Sequence, residues 1–324
     1  MIRLSICSVV VCLLSAAVDH GADLQLPIVK LGEQRLAVPS DSSPTTRIDR
    51  PYFDTSGRLL WNGSLTISGS PCPDKSKEYL RATWLLSPRV DEVRCQTGVP
   101  GIAGATTASL VGLDPAGIVS WQRSLGFASG TFTIDQGVIG ASAGGLVLSD
   151  LTLISPKDGT ILLPPRTHPV GSERRPVPDF SFTPVALYLE DQSKFLLFSA
   201  DVTLVRRIGG LFLLDAKTGT REQVLPLSTT LLGGYWRIED MALSDDHRYV
   251  FLAQKLAIRG GGGVSFALLD LAHRQLVFEE HFGKSNFCRE PRLALGHDGN
   301  VGFSYLDQTA GQRVLVHYRM KTRR

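Results

Sequence analysis

Met241–Phe251 reads MALSDDHRYVF: an apolar run enters a turn of serine, aspartate and histidine, and a second apolar run leaves it. Two apolar runs joined by such a turn predict a β-hairpin. Versions of the pattern recur at residues 52–61, 132–139, 185–198 and 292–303. The sequence therefore predicts one type of hairpin that is used repeatedly along the chain.

A second pattern lies between the copies of the first, and its best example is Leu211–Thr220, which reads LFLLDAKTGT. Related copies stand at residues 109–121, 151–161 and 266–277. The same apolar position of the first pattern is taken by Ile134, Leu187, Leu243 and Leu295. These positions are 53, 56 and 52 residues apart. Two hairpins make four strands, and four strands in about 40–50 residues are typical of a β-propeller blade.

Five blades are recognisable, and the number of blades stays open between five and seven. The predicted blades are residues 48–126, 130–167, 180–230, 238–284 and 290–319. The last is one strand short, and the apolar residues of Ile28–Val38 are predicted to supply that strand and close the ring. The expected fold is all-β, a single β-propeller over residues 48–319, between an N-terminal segment at 18–47 and a basic tail at 320–324.

Two stretches depart from the repeat. Asp74–Leu86 is a weak candidate for a short helix inside the first blade. Pro164–Pro178 is rich in proline and arginine and is expected to form an exposed loop between blades.

Over roughly residues 105–305, the repeats resemble those of pyrroloquinoline-quinone-like (quinoprotein-type) propellers. Those repeats have an apolar strand, then Asp-Ala-Lys-Thr-Gly or a similar turn, then a strand that often carries tryptophan. Leu211–Thr220 is very similar to this motif, and Leu113–Trp121 is a looser match that includes the tryptophan. The resemblance implies the fold. It implies no cofactor here, because quinoprotein dehydrogenases usually place adjacent cysteines against theirs and this chain has no adjacent pair.

The N-terminus predicts export. Arg3 precedes an apolar run at Leu4–Ala17, and Ser15-Ala16-Ala17 is a cleavage site of small residues, so residues 1–17 are interpreted as a signal peptide. The alternative is a membrane-anchoring helix, but the run is shorter than the ~20 residues that a spanning helix needs. No later segment is apolar enough to span a membrane. The mature protein is expected to be secreted, either extracellular or periplasmic.

Three cysteines remain after such cleavage, at positions 72, 95 and 288. In an oxidising compartment two of them are expected to pair. Cys72 and Cys95 flank one polar stretch and are the preferred disulfide, but the sequence leaves the other pairings with Cys288 open. Asn62 begins an Asn-Gly-Ser glycosylation sequon, which matters only in a eukaryote.

Composition and motifs exclude several functions. The formal net charge is +3, and it falls to +2 when Arg3 leaves with the signal, so no nucleic-acid partner is expected. No metal-binding motif is present. Gly140–Gly144 matches the G-x-S-x-G pattern of serine hydrolases, but a strand rather than a helix is predicted after it, so Ser142 is not expected to be a nucleophile.

Arginine near a carboxylate recurs just before the first strand of several blades. The arginines, candidate binding residues, are Arg47, Arg175, Arg237 and Arg289. The acids, weak catalytic candidates, are Asp49, Asp179, Glu239, Asp240 and Glu290. Acids from several blades that meet at the channel mouth suit general acid/base work or cation binding. The alternative is that each acid pairs with an arginine and only fixes a loop.

Because no catalytic signature is specific, the preferred hypothesis is a binding or scaffold module, expected to be monomeric, for a protein, glycan or small ligand. The first alternative is a propeller hydrolase or lyase, similar to glycosidases or lactonases, that uses carboxylates at the channel mouth. The second is a redox protein with a quinone cofactor.

Overall fold

The computed structural model describes residues 27–37, 47–48, 50–61, 78–84, 89–97, 105–128, 137–142, 144–165, 167–170, 173–176, 185–202, 207–228, 234–257, 262–283 and 288–321. These residues are nearly all β: besides strands they contain one short 3₁₀ turn, at Glu190–Gln192. The strands form a five-blade β-propeller, and its blades follow one another in chain order.

The first eight strands include those of the first blade. In order they are β1 (Ile28–Ala37), β2 (Arg47–Ile48), β3 (Pro51–Phe53), β4 (Leu59–Trp61), β5 (Glu78–Trp84), β6 (Arg89–Thr97), β7 (Ala105–Leu113) and β8 (Val119–Ala128). The first blade is a five-stranded sheet in the order β2-β5-β6-β7-β8, in which only the β2–β5 pair is parallel. The hairpin β3–β4 forms a separate two-stranded sheet.

The second and third blades are four-stranded antiparallel meanders with a hairpin between them. Their strands are β9 (Val138–Ser142), β10 (Gly145–Leu148), β11 (Leu153–Ile154), β12 (Ile161–Leu163), the hairpin β13 (Thr167–Val170) and β14 (Glu173–Pro176), then β15 (Val185–Leu189), β16 (Lys194–Val202), β17 (Arg207–Asp215) and β18 (Arg221–Pro226). In each blade the strands pair in chain order.

The fourth blade repeats this meander, and the fifth completes the ring. Their strands are β19 (Tyr235–Leu243), β20 (Tyr249–Ala257), β21 (Val264–Asp270), β22 (Gln275–Phe282), β23 (Cys288–Leu295), β24 (Asn300–Asp307) and β25 (Gln312–Met320). The fifth sheet has the order β1-β25-β24-β23, so its outer strand comes from the N-terminal end.

Strand β1 closes the ring by pairing antiparallel with β25, from Ile28 opposite Met320 to Ala37 opposite Gln312. The Lys321 amide then donates to the Pro27 carbonyl at 2.8 Å. Ile28 is buried in the core, and Lys30 donates to Glu280 on β22 of the neighbouring blade at 2.9 Å. The predicted closing strand is therefore confirmed.

Blades bury their faces against each other, and the aromatic core between the fourth and fifth shows how. Phe266 on β21 is fully buried, with its ring centroid 4.4 Å from that of Tyr318 and 5.7 Å from that of Phe303. The Tyr318 hydroxyl donates to Glu280 at 2.7 Å, and burial raises the pKa of the Tyr318 phenol. Apolar area is thus removed from water between sheets, as the repeat pattern predicts.

The tryptophan of the looser repeat joins the first blade to the second. Trp121 on β8 donates from its indole nitrogen to the Pro156 carbonyl at 3.1 Å. Its ring packs on Gly159, where φ is +72° and an added Cβ would lie 2.6 Å from the ring. Glycine is needed there both for the turn and for the close approach of the ring.

Gly140 shows how closely neighbouring inner strands approach. An added Cβ at Gly140 on β9 would lie 1.6 Å from the backbone carbonyl oxygen of Ala186 on β15. No rotamer change relieves a backbone clash, so we expect Gly140→Ala to lower the free energy of unfolding by about 1–3 kcal/mol. Urea unfolding monitored by circular dichroism measures this loss. Gly32→Ala, where nothing lies within 4 Å, is the matched control and should unfold like the wild type.

Most of the predicted architecture is confirmed, and three details differ. The hairpin β3–β4, predicted as part of the first blade, forms a sheet of its own. The helix expected within Asp74–Leu86 is wrong, because Glu78–Trp84 is strand β5, held between β2 and β6. Part of the loop expected at Pro164–Pro178 is the hairpin β13–β14.

Several predictions fall on residues that the structure does not describe. They are the signal peptide at 1–17, Asn62, and Cys72 with its disulfide to Cys95, and they stay predictions. The described Cys288 is a buried thiol. No helix among the described residues is long and apolar enough to cross a membrane.

Candidate functional site: the central channel

The innermost strands surround a cavity of about 870 Å³. β9, β15, β19, β23 and β3 are neighbours in turn around it, and all five contribute to its wall. A propeller brings its inner strands together at the axis, so residues far apart in sequence meet here. The cavity is therefore the place where one small molecule can touch several blades at once.

Carboxylates gather where the inner strands end and turn outward. The acids that line this part of the cavity are Asp54, Glu190, Asp245 and Asp298. Hydrogen bonds from the Ser56 hydroxyl and the Arg58 backbone hold the pKa of Asp54 well below its usual range. His247 lines the same mouth and contacts Asp191, which joins the fourth blade to the third.

A buried ion pair lies further inside the channel. Asp240 on β19 is 4% exposed, and its Oδ2 accepts from Nη1 of Arg50 at 2.9 Å. The same oxygen accepts from the Leu293 amide of β23 at 2.9 Å, and Oδ1 accepts from the Met241 amide at 3.1 Å. Asp240 thus connects β19 to β23 and to Arg50, which precedes β3. Arg50 and Asp240 also line the cavity at this point.

Arg50 is in a demanding environment. Burial lowers the pKa of its guanidinium; the nearby Asp240 opposes this, and the positive charge of Arg292 adds to it. The guanidinium groups of Arg50 and Arg292 therefore repel each other in a site with little water, where charges interact strongly. Asp240 compensates Arg50, and Arg292 needs compensation of its own.

Glu239 is shared by two arginines from neighbouring inner strands. Its Oε1 lies 3.3 Å from Nε of Arg237 on β19, and its Oε2 lies 4.0 Å from Nη1 of Arg292 on β23. The Glu239 and Arg292 side chains are 19% and 14% exposed. A register shift between Ile238 and Asp240 makes Glu239 the extra residue of a bulge, and bulges often re-aim a side chain near a functional site.

Glu290 stands in the corresponding irregularity of β23, where the register shifts between Arg289 and Arg292. Its backbone φ is +53°, a value that residues other than glycine rarely adopt. Its Oε2 accepts from Nη2 of Arg313 on β25 at 2.7 Å, and the Arg313 guanidinium lies 4.2 Å from the centroid of the Trp61 ring. The pair of Glu290 and Arg313 therefore links β23 to β25 within the fifth blade.

The structure brings only some of the predicted site residues together. Arg237 pairs with Glu239 as expected, whereas the partner of Asp240 is Arg50 and the partner of Glu290 is Arg313. Arg289 is exposed on β23. Arg47 and Arg175 lie on β2 and β14, but their side chains, and Asp49 and Asp179 entirely, are outside the described residues.

Ser142 ends β9, and after a short turn β10 begins at Gly145 and pairs antiparallel with β9. A nucleophile elbow needs a helix at that point. The strand predicted after the G-x-S-x-G pattern is confirmed, and Ser142 is simply part of the cavity wall.

Sequence reasoning missed Arg50, Arg292 and Arg313. The repeat offered one signal: Asp240 and Arg292 each stand three residues before the equivalent leucines Leu243 and Leu295, so they occupy the same position on neighbouring inner strands. Nothing local marks Arg50 or Arg313, because their partners lie 190 and 23 residues away.

A larger groove of about 1610 Å³ lies between the fourth and fifth blades. Burial raises the pKa of its buried acid, Asp270. Hydrogen bonds from His273 and Arg248 lower that pKa by more than burial raises it, so the pKa falls to about 2. Asp270 also accepts from the Ala272 amide at 3.0 Å. We interpret Asp270 as a residue that holds its own turn. Among the described residues, no group of three histidine, cysteine or acidic side chains is placed to hold a metal ion.

Comparison with known proteins gives a likeness of shape. No protein-family profile matches the chain, and no curated protein matches it. A glucose dehydrogenase structure is 14% identical, with a TM-score of 0.48 over 91% of this chain and 99% of that one. The soluble aldose sugar dehydrogenase from Escherichia coli is 12% identical, with a TM-score of 0.43 over 90% and 100%. TolB from Acinetobacter baumannii is 11% identical, with a TM-score of 0.35 over 70% and 51%. At these values no activity carries over, and the quinoprotein-type resemblance of the repeats stays a prediction.

Proposed function

We propose that the chain is an exported β-propeller that binds a small, hydroxyl-rich ligand, such as a monosaccharide or short glycan, in its central cavity. The observation that carries the proposal is the cavity itself, about 870 Å³ and lined by the inner strands of four blades and by the hairpin β3–β4. Small-molecule sites are commonly concave and of about 300–1,000 Å³. Export is supported by the signal peptide that the sequence predicts at residues 1–17.

The side chains of the cavity favour hydroxyl groups as partners. Glu190, Asp245 and Asp298 are hydrogen-bond acceptors, which suit hydroxyl donors. Tyr52 and Tyr188 line the same space, and each offers an apolar ring face beside a polar tip. Acceptors combined with aromatic faces match a ligand that is polar at its edge and apolar on its faces.

The hydrolase alternative has less support from the contacts. The three described candidates Glu239, Asp240 and Glu290 each have an arginine as a close partner. An arginine that occupies a carboxylate competes with any substrate for it. The acids at the cavity mouth, Glu190, Asp245 and Asp298, are interpreted separately, as acceptors for the hydroxyl groups of a ligand.

A blocking substitution tests where the ligand binds. Ser142→Trp places a large ring in the cavity wall, so we expect it to abolish binding of any sugar that the wild type binds. The measurement is thermal unfolding against a panel of monosaccharides, disaccharides and sugar alcohols. At about 100 times the Kd, a ligand adds about 2.7 kcal/mol to the stability of the wild type.

Leu162→Trp is the matched control, because Leu162 lies on the outer strand β12 and is 49% exposed. It should keep the full ligand response. A sugar response that survives Ser142→Trp would place binding elsewhere, and a panel with no response would remove the proposal.

A further inference from the structure

A second feature of the channel lies apart from the cavity. Arg237 and Glu239 come before Asp240 on β19, and Arg292 comes before Leu293 on β23, whereas the wall of the cavity begins at Asp240 and Leu293. The cluster of Arg237, Glu239 and Arg292 therefore lies nearer the start of the inner strands. It is a place that the proposed ligand does not need to reach.

Charge in this cluster does not balance among the described residues. Arg237 and Arg292 bring two positive charges, and the carboxylate that pairs with them among the described residues is that of Glu239. Asp240 is fully used by Arg50 and two backbone amides. Glu239 alone remains for both Arg237 and Arg292. An excess charge with little access to water is costly unless an opposite charge joins it.

Arg292 has donors to spare. Its Nη1 donates to the Pro291 carbonyl at 2.9 Å and lies 4.0 Å from Glu239. Its Nε is buried and has no hydrogen-bond partner among the described residues. Buried polar atoms nearly always have a partner, so an atom of this kind points to a group that joins the site.

We infer that Arg292 and Arg237 bind a small oxyanion, a phosphate or a carboxylate, between the start of β19 and that of β23. Guanidinium groups bind both anions through paired N–H donors. The anion supplies the missing negative charge and accepts from Nε of Arg292. Glu239 competes with it for the same two guanidinium groups and so weakens its binding.

Thermal unfolding of the purified protein in inorganic phosphate or succinate, against sodium chloride at equal ionic strength, tests the inference. We expect a saturable rise in Tm with at least one of the two anions and none with chloride. Arg292→Met should abolish this rise. Arg274→Met, at an arginine 46% exposed and paired with Glu222 on the surface, should keep it.

Two further variants separate binding from a structural role. In buffer without oxyanion, Arg292→Met should unfold at or above the Tm of the wild type, because it removes a charge that repels Arg50. Glu239→Gln should bind the anion about tenfold more tightly, which corresponds to about 1.4 kcal/mol, because it removes the competing carboxylate.

Four results would overturn the inference. They are a Tm shift in phosphate and succinate no larger than in chloride, a phosphate or succinate response that survives Arg292→Met, a Tm of Arg292→Met well below that of the wild type without anion, and weaker anion binding by Glu239→Gln. Ser142→Trp should leave the anion response unchanged. Failure of sugar binding and failure of anion binding are therefore observed separately.

Discussion

Arg50→Met is expected to lower the free energy of unfolding by about 3–5 kcal/mol, because removing one partner of a buried ion pair leaves the other charge uncompensated. Asp240 is 4% exposed, and its two backbone amide donors cannot replace the guanidinium charge. The destabilisation should affect more than one part of the ring, because Arg50 precedes β3 and Asp240 lies on β19. Urea unfolding followed by tryptophan fluorescence measures it.

The control is Arg58→Met, because Arg58 also pairs with an aspartate, Asp54, but its side chain is 75% exposed. An exposed pair contributes little, so the change should stay within about 1 kcal/mol. The double variant Arg50→Met with Asp240→Leu should recover part of the stability, because no unpaired charge remains. If Arg50→Met unfolds like Arg58→Met, the buried pair does not hold the inner strands together.

Removal of residues 27–37 is expected to abolish cooperative folding of the ring. The deletion takes away the whole of β1, exposes β25 as an unpaired edge and opens the core where Ile28 is 3% exposed. It also removes the contact of Lys30 with Glu280 on the next blade. Because a domain is stable by only about 5–15 kcal/mol, the loss of a full strand exceeds the margin.

A peptide tests whether the strand itself is what the deleted protein lacks. Ile28–Ala37 added as a separate peptide should restore the folded signal by pairing with the open edge, and a scrambled peptide of the same composition should not. Near-ultraviolet circular dichroism reports the recovery of packing. If the protein without residues 27–37 unfolds with the same denaturation midpoint and slope as the full chain, closure of the ring by β1 is not required for folding.

The repeat pattern predicted the blades because each strand pair and its turn are local. The turn Asp215 to Thr220, for example, is closed by hydrogen bonds among its own residues, which the sequence LFLLDAKTGT predicts. The closing strand was also predictable, since the fifth blade lacked one strand and Ile28–Val38 had the right composition. Glu78–Trp84 misled the prediction because its strand state depends on pairing with β6, a tertiary effect.

The candidate site was predictable only where its contacts are local. Arg237 and Glu239 are two residues apart and pair as expected. Arg50 meets Asp240 across 190 residues, and that contact depends on how the blades are placed around the axis. The bulge at Glu239 is likewise set by pairing with β20, and no sequence signal marks it.

The bond from Lys321 to Pro27 has a practical consequence for experiments with this protein. Polypeptide attached before Pro27 and polypeptide attached after Lys321 leave the molecule from the same spot, on the rim of one blade. Fluorophores placed on two such extensions would report opening of the ring as a change in energy transfer. A short linker that joins these two positions would allow a circular permutant, with its new termini in a turn on the opposite side of the propeller.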